Sequence, residues 1–563
     1  MTKSTIYTIL VIFLLIILIN NNTHCQSYGQ NGMVVSDNSV ASKIGIDILK
    51  KGGNAIDASI ATAFALSVTH PQAGNIGGGG FLVFMDSSGK ATTIDFREKA
   101  PLQANSTMFL DVNGGLIKGS NHNGLKSVGV PGTVAGLFLA HRKYGSLPWN
   151  KLVQPSIDLA QKGVVLSFTL ANHAKSIAAN SSSNFLKNYF KNANGELVKY
   201  GELWIQKGLA NTLKIIRDKG KDGFYKGEVA EEIVNFMKAN GGIITLEDLA
   251  RYEAIERKPI KGSYKEFDIY SMPPPSSGGV ALIEMLNLIE FANLDTIQFN
   301  STEYVHLMAE SMRRAYADRA EHLGDPDFNL DIPIDKLISK DFAKIRYDNI
   351  DFSQASVSDS SKFGQIYDGT NTTHFSIIDK DGNAVSFTYT IEQSYGSELG
   401  SSKLGFIFNN EMGDFNPKPG YTNTNWLIGT DPNTIEPQKR MLSSMTPTIV
   451  AKDGIPYLII GSPGGRTIIN TVFQTILNVL QYNMPIKKAI EVMKIHHQWM
   501  PDKLVYEKDL MSPDTHNELH QMGHNLVGRK NLGRLMGIIN STESNIYIGA
   551  SDSSSPDGEA IGY

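Results

Sequence analysis

The chain has 563 residues, 41% hydrophobic and 19% charged, with a formal net charge of −4, which supplies a globular core and excludes wholesale disorder. A near-neutral balance with no basic stripe of interleaved aromatics lacks the field a nucleic-acid binder needs, so no nucleic-acid partner is expected. Length leaves the domain count open, because large single folds exceed the usual ~150 residues per domain.

After Lys3, the apolar run Ile9 to Ile19 precedes the polar stretch NNNTHCQS, the layout of a secretory leader over residues 1–26. Eleven helical residues rise about 16 Å against about 30 Å of bilayer hydrocarbon, too short to span comfortably. Counting from Ile6 lengthens the segment and leaves an uncleaved anchor as the alternative. An exported protein, periplasmic or extracellular, is therefore expected. Cys25, the one cysteine, forms no intrachain disulfide, so stability in that setting rests on the core.

Val40, Ile44 and Ile48 recur at four-residue spacing and stop at Gly52 and Gly53, which predicts an amphipathic helix closed by glycine. The next segment, AIDASIATAFALSV from Ala55 to Val68, is apolar around its circumference and predicts a buried helix. Glycines 77–80 feed Phe81 to Met85, the turn DSSGK and Ala91 to Phe96, a hairpin ending at Arg97. The middle of the chain is mostly helical. Asp351 to Asn371 is Ser/Asp-rich with weak periodicity and predicts an exposed, poorly ordered segment. A second hairpin follows in HFSII, the turn DKDGN at Asp379 to Asn383, and AVSFTYTI. Closing symmetrically about Asp381, it sets Thr390 directly across from Thr372. Pro456 to Gly461 predicts a strand running through SPGGR into a helix with Ile469, Phe473 and Ile476 on one side. The class is mixed α and β, without internal repeats.

Two glycine-rich turns, GNIGGGGF and GSPGGRT, invite an anion-binding interpretation. Neither has nucleotide-loop spacing, and the first opens a strand rather than a helix. In the second, Gly464 and Gly465 sit between strand and helix and could aim N–H donors at an oxyanion, with close strand-to-helix packing as the rival explanation. His496 and His497 are neighbours that share no helical face and have no HExxH or CxxC partner, so they are read as structural, with no metal site. No GxSxG elbow follows a strand. Nothing requires a cofactor.

The threonines of the second hairpin remain. A Thr freed as a new N-terminus carries its own base, an α-amine of pKa about 7.7 to 8.0. Asn371 ends the irregular segment and Thr372 opens a strand, the layout such a release needs, although Thr-rich strands also arise from β propensity alone.

From Thr372, TTHFSIIDKDGNAVSFTYTIEQSYG resembles the start of the small subunit of the γ-glutamyltranspeptidase family, N-terminal-nucleophile hydrolases that cleave themselves at this threonine. GGNAIDASIATAFALSVTHPQAGNIGGGGF, DFREKAP, VGVPGTVAGL, MPPPSSGG, AYADRAEHLGDPDF, FNNEMGDF, LSSMTPTIV, GSPGGR and PDGEAIGY resemble family signatures in family order. The resemblance implies a four-layer αββα fold and a heterodimer from one precursor, with a large subunit of residues 27–371 and a small one of 372–563. It implies small-molecule substrates: glutathione or another γ-glutamyl amide as donor, water, an amino acid or a dipeptide as acceptor.

The same resemblance implies the site. Thr372 is the nucleophile, supported by Thr390, and Gly464 and Gly465 hold the oxyanion. Arg97, with Ser443 and Ser444, takes the glutamyl α-carboxylate, while Glu411 and Asp414 take the α-ammonium, with Glu392 adding a polar contact. Position 392 is Glu where many members have Asn, and Met441 replaces the usual Pro of KRPLSSM. The stretch between Asp414 and Ser443 has the length of a lid, with Tyr421 or Trp426 as its aromatic flap. The rival enzyme is a cephalosporin acylase of the same family, whose glutaryl substrate has no α-ammonium; a rival of another class is a processed but inactive surface protein.

Overall fold

The computed structural model describes residues 26–358, 372–418 and 431–563. The leader, the Asn371 side of the scission point, and Tyr421 and Trp426 lie outside the described residues.

Two seven-stranded sheets stack face to face, and every pairing within them is antiparallel. The first runs, edge to edge, Glu559–Gly562, Gly32–Ser36, Thr372–Asp379, Ala384–Thr390, Gly79–Met85, Ala91–Asp95 and Ile255–Arg257. The second runs Gln26–Gly29, Ile546–Ser551, Met536–Ser541, Ile455–Gly461, Thr448–Lys452, Phe267–Ser271 and Ile260–Tyr264. Alternation along the strands sorts side chains between two cores. Val34, Phe375, Ile377, Val385 and Phe387 face the helices Ser39–Lys50 and Ala55–Thr69. Met33, Val35, Ile378 and Ala384 face Ile449, Ile459 and Ile538 of the other sheet. Beyond the second sheet, Val450, Leu458 and Ile460 meet the helices Gly278–Ile289, Thr302–His322 and Thr467–Leu480. The four αββα layers follow from these faces.

Both early helices form where the spacing predicts. Ala55–Thr69 is buried at every position and starts on a capping box between Asn54 and Asp57. Ser39–Lys50 differs in detail: Val40 and Ile44 are half-buried, and the buried face is Ala41, Ser42, Gly45, Ile46, Ile48 and Leu49. Gly45 fits there because a Cβ would stand 2.5 Å from Thr62 Oγ1, so small residues share this face with Ile46, Ile48 and Leu49. Thr467–Leu480 is buried all round, not only on the side of Ile469, Phe473 and Ile476, because Met484, Ile495 and further helices close over it.

Residues 351–358 also depart from expectation. Ala355 and Ser358 are buried, and the segment is held on the body of the protein. The Ser358 N–H donates to Asp502 at 2.8 Å, the Ser356 N–H to Glu310 at 3.2 Å, and the Ala355 N–H to the Met522 carbonyl at 2.8 Å. Composition alone missed this because the partners lie far away in sequence.

Candidate active site

The site begins with a turn. Asp379 Oδ1 accepts the N–H groups of Asp381 and Asn383, both at 3.0 Å, and Gly382 supplies the left-handed step at φ +86°. This closure, symmetric about Asp381, pairs Thr372 with Thr390. Their hydroxyl oxygens lie 3.5 Å apart, and Thr390 Oγ1 also accepts the Glu392 N–H at 2.8 Å. By strand alternation Thr372 shares the inter-sheet face with Ser376, whose hydroxyl reaches the Met536 carbonyl at 3.1 Å. Thr372 stands at the strand's end, where that face opens into a cleft.

The cleft is lined by Arg97, Arg319, Thr372, Thr390, Glu392, Glu411, Asp414, Ser443, Ser444, Gly465 and Arg466, with Leu442, Met445 and Ile468 as its apolar residues. Among the described residues, every catalytic and substrate-binding residue expected from the sequence lines it except Gly464. Gly464 and Gly465 have φ of +138° and +60°, conformations that favour glycine. Among the described residues neither N–H donates to a protein acceptor.

Arg97 is fully buried at the end of the first hairpin. It pairs directly with Glu411, with Asp414 at 2.5 Å and with Glu98 at 3.5 Å, and its Nε–H donates to the Met441 carbonyl at 3.3 Å. The fork is therefore occupied by the two carboxylates that the resemblance assigns to a different part of the ligand. One guanidinium is shared among three acids. Burial pushes Glu98 up to about 7 against the pull of Arg97, and burial likewise raises Glu411, with the neighbouring carboxylates adding. This wall carries an excess of acid.

Another part of the lining is cationic. Arg319 is buried, donates to the hydroxyls of Ser277 at 2.8 Å and Ser444 at 3.2 Å, and has its pKa pulled down to about 9 by burial, with the charge of Arg466 adding. Ser277 in turn donates to the Ser443 carbonyl, so Arg319 braces the Ser443–Ser444 turn. Sequence reasoning missed Arg319 as a site residue; its only signal was membership of the AYADRAEHLGDPDF segment. It also missed His122, whose Nδ1 lies 3.6 Å from Glu392. His122 comes from a turn with no motif of its own.

His496 and His497 are buried and bonded, His496 to Asn470 at 2.7 Å and Gln498 at 2.8 Å, His497 to Asp502 at 3.2 Å. His306, Glu310 and His524 do gather their ligand atoms within 4.8 Å. A cation there would meet Arg313 and Arg314, which already occupy the Glu310 carboxylate at 3.1 and 2.6 Å, so this cluster suits an ion pair better than a metal.

Two stacked antiparallel sheets between helical layers, with a cleft at the first residue of an inner strand, define an N-terminal-nucleophile hydrolase. The chain belongs to the gamma-glutamyltranspeptidase family, whose model matches residues 41–563. It is 44% identical over 543 residues to a glutathione hydrolase proenzyme of Escherichia coli strain K12, covering 95% of this chain and 92% of the relative. Among solved structures, a cephalosporin acylase from Bacillus halodurans superposes with a TM-score of 0.82 at 25% identity, over 96% of this chain and 97% of that one. The gamma-glutamyltranspeptidase of Helicobacter pylori gives 0.55 at 45% identity, over 56% of this chain and 91% of that chain.

Proposed function

We propose that the protein is a self-processing γ-glutamyltransferase and glutathione hydrolase, cut between Asn371 and Thr372. The freed Thr372 amine takes the Oγ proton as Oγ attacks the γ-carbonyl of glutathione or another γ-glutamyl compound. The C–N bond breaks, the amine leaves with that proton, and a γ-glutamyl-threonine ester remains. Water hydrolyses the ester, or an amino acid or dipeptide captures it. Gly464 and Gly465 N–H groups stabilise the oxyanion.

The observation that carries this reading is the acid-rich wall around Arg97, within the same cleft as Thr372. A glutamyl head is a zwitterion, so it can exchange for the internal pairs one for one: its α-carboxylate takes Arg97 while its α-ammonium takes Glu411 and Asp414. Ser443 and Ser444 then complete the carboxylate site. A cephalosporin acylase is the second reading, favoured by the TM-score of 0.82 to such an enzyme. Its glutaryl group would take Arg97 and leave the acids with no cation, a costly exchange in a buried site. The leader-like residues 1–26 support export.

N-terminal sequencing of the purified protein tests scission, with the smaller polypeptide starting at Thr372. Turnover of γ-glutamyl-p-nitroanilide beside glutaryl-7-aminocephalosporanic acid tests the donor. Thr372→Ala is expected to stay a single inactive chain; an active uncleaved chain would overturn both the nucleophile and its base.

A further inference from the structure

The acid at position 392 has a companion that no motif announces. Glu392 is buried, lines the cleft and is held at φ +75°, a conformation uncommon for a residue with a side chain. His122 Nδ1 stands 3.6 Å from its carboxylate. The imidazole is wedged against Gly413, between Glu411 and Asp414, where a Cβ would come within 2.2 Å of the ring. Asn410 locks the arrangement from behind. Its amide donates to the His122 carbonyl at 3.1 Å and to the Gln393 side chain at 3.0 Å, and its Oδ1 accepts the Gln393 N–H at 3.1 Å. Three separate stretches of chain thus converge on one histidine–carboxylate contact at the edge of the glutamyl pocket.

We propose that His122 is a positioning residue for the donor: its imidazole holds Glu392 as an ionised acceptor aimed at the substrate α-ammonium. The proposal rests on the glutamyl reading of the cleft. Burial raises the Glu392 pKa, and His122 is the main group drawing it back, with Arg97 helping and Asp414 opposing. For His122, burial works against the charged ring, but Glu392, with Asp414 adding, carries its pKa above the ordinary value. Glu411 faces the pair as a further acid. Without the imidazole, Glu392 would hold its proton to higher pH and offer the ammonium a neutral carboxyl. Deprotonation on raising the pH would restore the acceptor. The loss therefore has a pH signature that a merely structural defect lacks.

The test measures kcat and KM for γ-glutamyl-p-nitroanilide between about pH 6 and about pH 9 in the processed enzyme, for wild type, His122→Asn, Glu392→Asn and the double variant. His122→Asn is expected to raise KM about tenfold near neutrality, with kcat within about twofold and the deficit shrinking as pH rises. In the Glu392→Asn background the same change is expected to add less than about twofold. A KM offset that is constant with pH, or equally large without Glu392, would overturn the role. The His122 imidazole titration, followed by 15N NMR in wild type and Glu392→Asn, tests the pair independently of turnover. Its pKa should fall when Glu392 is replaced, and an unchanged titration refutes the coupling even in a protein that cleaves no γ-glutamyl substrate.

Discussion

The Thr390 hydroxyl oxygen meets both the Glu392 N–H at 2.8 Å and the Thr372 hydroxyl at 3.5 Å. Accepting the fixed N–H orients the Thr390 hydroxyl, which in turn selects a rotamer of Thr372. Thr390→Val keeps the shape but removes both contacts, so it should slow maturation and lower kcat at least about tenfold. It also strands a buried N–H, at a cost of about 1 to 3 kcal/mol, and Tm should fall accordingly. Thr390→Ser keeps the oxygen and is expected to restore most of the rate. An ordinary cross-strand pair is worth at most about 1 kcal/mol, so normal maturation and kcat in the valine variant would reduce Thr390 to that role. Arg97→Lys tests the other wall. A point charge cannot replace a fork that spans Glu411 and Asp414, and KM for γ-glutamyl substrates should rise one to two decades, the equivalent of about 1.5 to 3 kcal/mol. An unchanged KM would make Arg97 structural.

Among the elements, the nucleophile hairpin was the most legible. DKDGN fixes its own register through Asp379 and Gly382, and a register once fixed decides every facing pair down to Thr372 and Thr390. The cationic wall was not legible in this way. Arg319 acts from the last turn of the helix Thr302–His322, on which charged residues would ordinarily read as a solvated face. His122 acts from an irregular turn, and only the fold brings it to Glu392. Turn chemistry is local and can be read; charge partnership across layers is set by packing. The layers themselves are equally exacting. His374 lies under the hairpin, bonded to Thr388 at 2.8 Å and Ser376 at 3.0 Å, with its pKa driven down to about 3 mainly by burial. A Cβ at Gly461 on the facing strand would come within 2.3 Å of that ring. Gly461→Ala should therefore destabilise the fold by about 1 to 3 kcal/mol, read as a lower Tm in the unprocessed Thr372→Ala protein, and an unchanged Tm would show that the sheets can spread to admit a methyl.

At the scale of the molecule, the first sheet does not respect the proposed scission point. Thr372–Asp379 pairs on one side with Gly32–Ser36, which pairs in turn with the C-terminal Glu559–Gly562, and Ala384–Thr390 pairs with Gly79–Met85. Strands from before and after residue 372 are interleaved in the sheet. Neither product of the cut retains a closed core by itself. The proposed scission would therefore change the molecularity of unfolding. The unprocessed chain unfolds and refolds as one molecule at any dilution. The processed enzyme unfolds into two, and its Tm should fall by about 1 °C for each tenfold dilution while that of Thr372→Ala stays constant. Once separated in denaturant, the two chains must find each other again, so recovery of activity should follow second-order kinetics and fail at low concentration. Maturation in this architecture is a one-way step: the precursor carries the instructions for assembly, and the enzyme made from it no longer holds them in one chain.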